Sequence, residues 1–270
     1  GDIGYVHNDG FMFAHLLVTE PEGSNLVEVV HQAYRRLLAF VAASPCPNLL
    51  RIWNYLERVN DWEHGLERYQ AFCMGRSQAF ADARIPAHCF PAATAIGSLA
   101  PGLSIHLLAG RTPGTPIENP RQVSAYRYPP PYGPRPPSFA RALCFAGPHD
   151  SRELAISGTS SITGHLTMHP NSLRRQLRET LRNLEMLSVP ERLAQARPGD
   201  PPLLLKVYLR DPTRIAEVAP VLQAWAGAET RIMYLQGAIC RKALAIEIEA
   251  HCTRAWAEWP LQPDGQRSDP

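Results

Sequence analysis

The sequence predicts an α+β chain made of a duplicated module, with mixed sheets and helices packed on one face of each. Three observations predict it. Each half of the 270-residue chain runs helix, strand, helix, strand, strand. The run NYLERVND at Asn54–Asp61 answers KVYLRDP at Lys206–Pro212. The run LSIHLLAG at Leu103–Gly110 answers LAIEIEAH at Leu244–His251, which sets His106 where the other half carries Glu247. The period is far too long for a solenoid, so the expectation is duplication of a whole module.

Asn25 to Ser44 reads as the first helix. Leu26, Val29, Val30, Ala33, Leu37, Leu38 and Val41 recur at helical spacing, Ser24 or Asn25 suits the N-cap, and Pro45 and Pro47 stop it. Leu49–Leu56 reads as a strand with Arg51, Trp53 and Tyr55 on one face. Gly65–Ala83 reads as a second helix, and Ala92–Ile96 and Leu103–Leu108 as strands. Arg111–Pro137 is dense in proline and reads as an extended, ordered linker. It also gathers Tyr126, Arg127, Tyr128, Tyr132 and Arg135, more chemistry than a spacer needs. Strands follow near Phe139–Phe145 and Glu153–Ser157, then the small-residue run Ser157–Ser161. Asn171–Leu187 is an amphipathic helix with Asn171 as its expected cap. Leu203–Leu209 is a strand, Thr213–Ala226 a helix containing Pro220, and Arg231–Leu235 a strand. The expected boundaries are a first module over 1–115, a connector over 116–137 that contributes to the site, a second, catalytic module over 138–260, and a disordered tail over 261–270.

The composition narrows the function. A hydrophobic share of 45% suits a globular core, and 27 basic against 25 acidic residues, with no long basic run, argues against nucleic acid as a partner. No apolar stretch is long enough to span a membrane and no signal-peptide pattern opens the chain, so a cytoplasmic location is expected. The six cysteines show no CxxC or ligand spacing and are expected to stay reduced. The ten histidines form no HExxH, and Gly164 and Pro170 around the His165–His169 pair argue against one helix presenting both; no metal is expected.

The most informative stretch is Gln236–His251. Alternation puts Ala245, Glu247 and Glu249 on one strand face and Leu244, Ile246 and Ile248 on the other, with Cys240 seven residues before Glu247. On pattern alone, two solvated glutamates on an exposed face and an inert buried thiol remain the alternative.

The second half resembles the RidA/YjgF fold through RRQLRETLRNLEML and Glu247-Ile248-Glu249-Ala250. Nearly all of residues 20–255 resembles the chorismatases, which carry two such modules. The matching runs are GLERYQAFCMGR at Gly65–Arg76, SAYRYPPPYGPRPPSFARA at Ser124–Ala142, SGTSSITGH at Ser157–His165 and GAICRKALAIEIEAH at Gly237–His251. Members of that family carry additional N-terminal sequence, so with Gly1 as first residue a truncated start is expected.

The resemblance implies an enzyme that removes the enolpyruvyl group of chorismate as pyruvate, without metal or organic cofactor. Chorismate carries two carboxylates, for which arginine is the suited partner. The candidates are Arg135, Arg76, Arg231 and Arg241, with Tyr128 and Tyr132 as hydroxyl donors. Cleavage begins with protonation of the enol-ether methylene, which needs a carboxylic acid still protonated near neutral pH. Glu247 matches the family's catalytic glutamate, with Glu249 as the competitor. Members that form 3-hydroxybenzoate carry a cysteine seven residues before that glutamate and a glycine in the small-residue run, here Cys240 and Gly158. Members that hydrolyse the ether to a dihydrodiol carry an alanine-type residue instead of the cysteine. The implied product is therefore 3-hydroxybenzoate, with 4-hydroxybenzoate open, and the chain is expected to be a monomer or a homotrimer. The competing readings are a RidA-like imine or enamine deaminase and a non-catalytic duplicated ligand-binding module.

Overall fold

The computed structural model describes residues 2–148, 151–187 and 203–255. The tail expected over 261–270 and the last residues of the second module lie outside them. The elements, in order, are β1 (Gly4–His7), β2 (Phe11–Val18), α1 (Leu26–Ala42), β3 (Asn48–Glu57), α2 (Arg68–Asp82), β4 (Ala92–Ser98), β5 (Leu103–Gly110), β6 (Thr115–Ile117), β7 (Ala142–Ala146), β8 (Ser151–Ser160), α3 (Leu173–Glu185), β9 (Leu204–Leu209), α4 (Ile215–Ala226), β10 (Arg231–Gln236), β11 (Ala238–Ile239) and β12 (Ile246–Ala255).

They form two six-stranded sheets, in the orders β1-β2-β5-β3-β4-β11 and β10-β9-β12-β8-β7-β6. Without β6 and β11, both sheets have one topology. A strand hairpin leads to a helix, a parallel β-helix-β unit follows, and the last strand inserts antiparallel between the hairpin and that unit. The duplication is thus of a strand-strand-helix-strand-helix-strand-strand module; the opening hairpin β1–β2 was not anticipated.

Register corrects one detail of the repeat. Tyr55 pairs with Ser104 in the first module, and Tyr208 pairs with Glu247 in the second. If the two YL runs are matched, Ser104 stands in the place of Glu247, and His106 answers Glu249. A two-residue offset keeps every side chain on its face, so alternation alone could not detect it.

Helices cover one face of each sheet. In α1, Leu26, Val30, Tyr34, Leu37 and Val41 pack on Met12, Ile52, Leu56 and Ile105. Asn25 caps the helix, its side chain accepting from Val27 N at 3.0 Å. In α3, Leu173, Leu177, Leu181 and Leu184 pack on Leu154, Val207, Ile246 and Ile248. Each such buried side chain contributes about 1.5–3 kcal/mol. The cap of α3 is Ser172, which accepts from Arg175 N, and not Asn171. Helix α2 begins at Arg68, later than expected, because His64 and Gly65 at φ 51° and 79° turn residues 62–67 into a short hairpin.

The other faces of the two sheets meet. Leu50, Ala92, Leu143, Phe145 and Ala155 fill one part of that interface, and Ile96, Ile162, Tyr208, Ile239 and Leu244 another. Leu244 therefore packs here, ahead of β12, and does not share the helix-side core with Ile246 and Ile248. Strand β11 crosses over, leaving the second module to pair antiparallel with β4 of the first. Among the described residues no helix is long and apolar enough to cross a membrane.

Candidate active site

The site grows from β12, a central strand flanked by β8 and β9. Ile246 and Ile248 point into the helix-side core, so Glu247 and Glu249 must point between the sheets, where each is only 4% exposed. Two carboxylates on one buried face are tolerable only if each is paired or neutral.

Glu249 is paired. It accepts hydrogen bonds from Arg51 Nη2 at 2.7 Å, Trp53 Nε1 at 2.8 Å and Thr94 Oγ1 at 2.6 Å, and Lys206 Nζ lies 3.2 Å away. Burial alone would raise its pKa. The charges of Arg51 and Lys206, with the Thr94 and Trp53 hydrogen bonds, outweigh that and hold it below the usual carboxylate value.

Among the described residues no cation forms an ion pair with Glu247. Burial pushes its pKa up to about 8, the Glu249 charge adds to the rise, and Ser160, Arg51 and Arg141 offset part of it. Ser160 Oγ lies 3.0 Å from Ile246 O and 3.1 Å from Glu247 Oε2. The hydroxyl has one proton. When it goes to the Ile246 carbonyl, Glu247 itself must be the donor to Ser160, an arrangement open only to the protonated acid. One strand thus presents a fixed carboxylate and a neutral carboxylic acid, the separation that acid catalysis at neutral pH requires.

Room for the Glu247 carboxyl is made by β8. A bulge between Ile156 and Thr159 sets Ser157 and Gly158 against the single Glu249 of β12. A Cβ on Gly158 would lie 2.0 Å from Glu247 Oε1, and Gly158 N donates to Thr94 Oγ1 at 3.0 Å. Gly158→Ala is therefore expected to swing the carboxyl away and lower turnover by about 10–100-fold with the fold intact, measured as initial rate and thermal melting side by side.

Two adjoining cavities open over Glu247, sharing Tyr69, Phe139, Gly158 and Cys240 as walls. The first cavity ends at Arg76 of α2, which is 3% exposed and held between the rings of Tyr34 and Phe80 at 5.3 and 5.1 Å. Its Nε and Nη2 have no hydrogen-bond partner among the described residues. The second cavity ends at Arg141 and Arg241. Arg141 Nη2 donates to Val123 O and Tyr128 Oη, both at 2.8 Å, and its Nε is unpaired. Arg241 Nη1 donates to His165 O at 2.8 Å and Thr167 Oγ1 at 3.0 Å, its guanidinium stacks 4.0 Å from the Tyr132 ring, and its Nη2 is unpaired. Buried guanidinium nitrogens without partners are costly unless a ligand supplies the acceptor.

Cys240 faces both cavities. Burial, reinforced by the Glu247 carboxyl, pushes its pKa up to about 12, so it is a neutral thiol and not a thiolate nucleophile. Cys73, on the same wall, is likewise pushed up to about 12 by burial.

The structure brings together Glu247, Cys240, Gly158, Arg76, Arg241, Tyr128 and Tyr132. It does not bring Arg135 or Arg231 there. Arg135 is exposed on the proline-rich segment, and Arg231 is exposed at the start of edge strand β10, paired in register with Leu204. Neither lines the cavities. The end of the proline-rich segment buries Pro137 and Ser138 and leads to the buried Arg141. Arg141, Tyr69 and Ser160 also line the cavities and were not among the expected residues. Arg141 carried a signal, a charge between alanines at the entry to an apolar strand; Tyr69 looks like an ordinary helix residue.

The family profile described as "Chorismatase FkbO/Hyg5-like, N-terminal" matches residues 1–109. A 3-hydroxybenzoate synthase of Streptomyces hygroscopicus is 36% identical over 257 residues, covering 92% of this chain and 75% of that one. A chorismatase of the same organism is 33% identical over 254 residues, covering 92% and 73%. A chorismatase crystal structure superposes with a TM-score of 0.83 at 32% identity, covering 93% of this chain and 77% of the other. With identity at this level across nearly the whole of its length, the chain belongs to the chorismatase family.

Proposed function

We propose that the protein converts chorismate to pyruvate and 3-hydroxybenzoate, with Glu247 as the acid. The observation that carries this is a buried carboxyl whose pKa burial raises to about 8, set between guanidinium nitrogens of Arg76, Arg141 and Arg241 that have no hydrogen-bond partner among the described residues. A compact dicarboxylate with an acid-labile enol ether between its charges matches that arrangement. Arg76 at one end and Arg141 with Arg241 at the other take one carboxylate each. Glu247 gives its proton to the terminal methylene, forming a methyl group and an oxocarbenium-like carbon.

The fate of that cation decides the product. Attack by water takes up one water and yields pyruvate and a dihydrodiol. Internal attack by the ring hydroxyl, followed by ring opening and proton loss, yields pyruvate and 3-hydroxybenzoate, whose atoms together equal those of chorismate, with no oxidant. Either route returns a proton to Glu247. Cys240, as a neutral thiol on the cavity wall, occupies space that an attacking water needs and favours the internal route.

The test is incubation with chorismate and separation of the products against standards. Pyruvate with 3-hydroxybenzoate supports the proposal, and accompanying 4-hydroxybenzoate would extend it. A dihydrodiol alone would overturn the product assignment. No consumption by folded protein would overturn the substrate. In the same assay, Cys240→Ala is expected to divert product to the dihydrodiol by about tenfold in ratio while pyruvate release persists.

A further inference from the structure

Cys240 and Glu247 stand seven residues apart, yet they are held by different means. Glu247 is locked in the β12 ladder between Tyr208 and Ser160. Cys240 and Arg241 ride on a loop between β11 and β12 that turns through a single Leu244 N to Arg241 O hydrogen bond of 2.9 Å. Gln176 of α3 ties the far end of that loop, donating to Ala243 O and accepting from Ala245 N, both at 2.8 Å, and two further side chains, one from each module, hold the carbonyls around Cys240. Arg210, just after β9, donates through Nη2 to Ile239 O at 3.1 Å and Arg241 O at 3.2 Å, and through Nε to Leu244 O at 3.0 Å. Asn60, from the first module, donates through Nδ2 to Ile239 O at 3.1 Å and Cys240 O at 3.4 Å, and also to Glu67 Oε1 at 3.0 Å. Glu67 lines the same cavity.

We propose that Asn60 and Arg210 are positioning residues for product choice: together they clamp the 239–244 loop so that the Cys240 thiol stays on the cavity wall and keeps water from the cation. This rests on the chorismate reading above. Neither residue lines the cavities, so neither touches substrate. The reason to expect an effect on product rather than on protonation is mechanical. Loosening the clamp lets Cys240 and Arg241 move, while the ladder of β12 keeps Glu247 in place. A planar fork reaching three carbonyls is a task for arginine, which a lysine point charge cannot perform. The clamp also explains why β11 leaves its own sheet: by pairing Ala238 and Ile239 with Gly97 and Ile96, it brings the loop within reach of Asn60. A Cβ on Gly97 would meet Ala238 Cβ at 2.7 Å, so glycine is what permits that approach.

The experiment compares wild type with Asn60→Ala and Arg210→Lys, each checked for folding by thermal melting. The first readout is the ratio of dihydrodiol to 3-hydroxybenzoate from chorismate. The second, which needs no substrate, is the rate at which N-ethylmaleimide labels Cys240, followed by mass spectrometry of its peptide. Both variants are expected to raise the dihydrodiol ratio and the labelling rate by about fivefold or more, with total pyruvate release changed less than the ratio. A KM increase is expected as well, through Arg241. Folded variants that keep both the wild-type ratio and the wild-type labelling rate would overturn the clamp, as would an equal loss of both products at constant ratio. If wild type leaves chorismate untouched while the variants label faster, the loop clamp stands and the chorismate reading falls. Should Arg210→Lys fail to fold, Asn60→Ala decides from the other module.

Discussion

Glu247→Gln is expected to lower pyruvate release from chorismate by about 10²–10⁴-fold while chorismate still binds. Glutamine keeps the size and the contact with Ser160 but has no proton acidic enough for a carbon centre. Glu249→Gln cannot mimic this effect by the same route, because Glu249 is tied by Arg51, Trp53, Thr94 and Lys206 and is ionised in the native protein. Calorimetric binding beside initial rates separates the two effects; full turnover in Glu247→Gln would remove Glu247 from the mechanism.

Two pH signatures accompany it. With the Glu247 pKa raised to about 8, the acid form is present at pH 7, and kcat/KM is expected to fall as pH rises through about 8. Stability follows the same group with a definite sign. Its folded pKa lies above the unfolded one, so the native state binds the extra proton. The contribution is complete below the unfolded value of about 4.3 and is lost as pH rises through the folded value, amounting to roughly 3–5 kcal/mol across the whole window. Glutamine removes that loss, so Glu247→Gln is expected to melt higher than wild type at pH 9 but not at pH 4.5.

Arg76→Met is expected to raise KM for chorismate by about 10–100-fold, the worth of a charged hydrogen-bonded contact, with a smaller effect on kcat. The ring faces of Tyr34 and Phe80 hold this side chain in place without the substrate, so little ordering is left for the moment of binding. Stability supplies the control. An arginine retained for structure would cost several kcal/mol when removed, whereas one whose Nε and Nη2 wait unpaired for a ligand should leave the melting temperature unchanged or higher with methionine. Arg76→Lys, which keeps the charge but loses the planar fork, is expected to fall between. An unchanged KM with a lower melting temperature would make Arg76 a scaffold residue.

How much of this was legible in the sequence depends on the range of the interaction that decides it. Helices α1 and α3, strands β3, β9 and β12, and the duplication itself follow from local periodicity, because a face that must be buried has to repeat at the spacing of its element. Glu247, Cys240 and Gly158 were identified because their runs resemble those of a family. Their roles were open on pattern alone, since a glutamate in mid-strand is as compatible with a solvated face as with a buried one. The tertiary structure decided what no local pattern encodes. It separated Glu247 from Glu249, because only the packing of the first module supplies Arg51, Trp53 and Thr94 to one carboxylate and not to the other. It also left Arg135 and Arg231 exposed and put Arg141 on the cavity wall, because which charged side chains face the gap depends on how the connector and the edge strand lie against the sheets. The sequence by itself determined which elements form and which chemical groups are available. Which carboxyl is paired, and which guanidinium nitrogens lack a partner among the described residues, is settled by burial and by groups distant in the chain, for these set the free energy of a charge between the sheets.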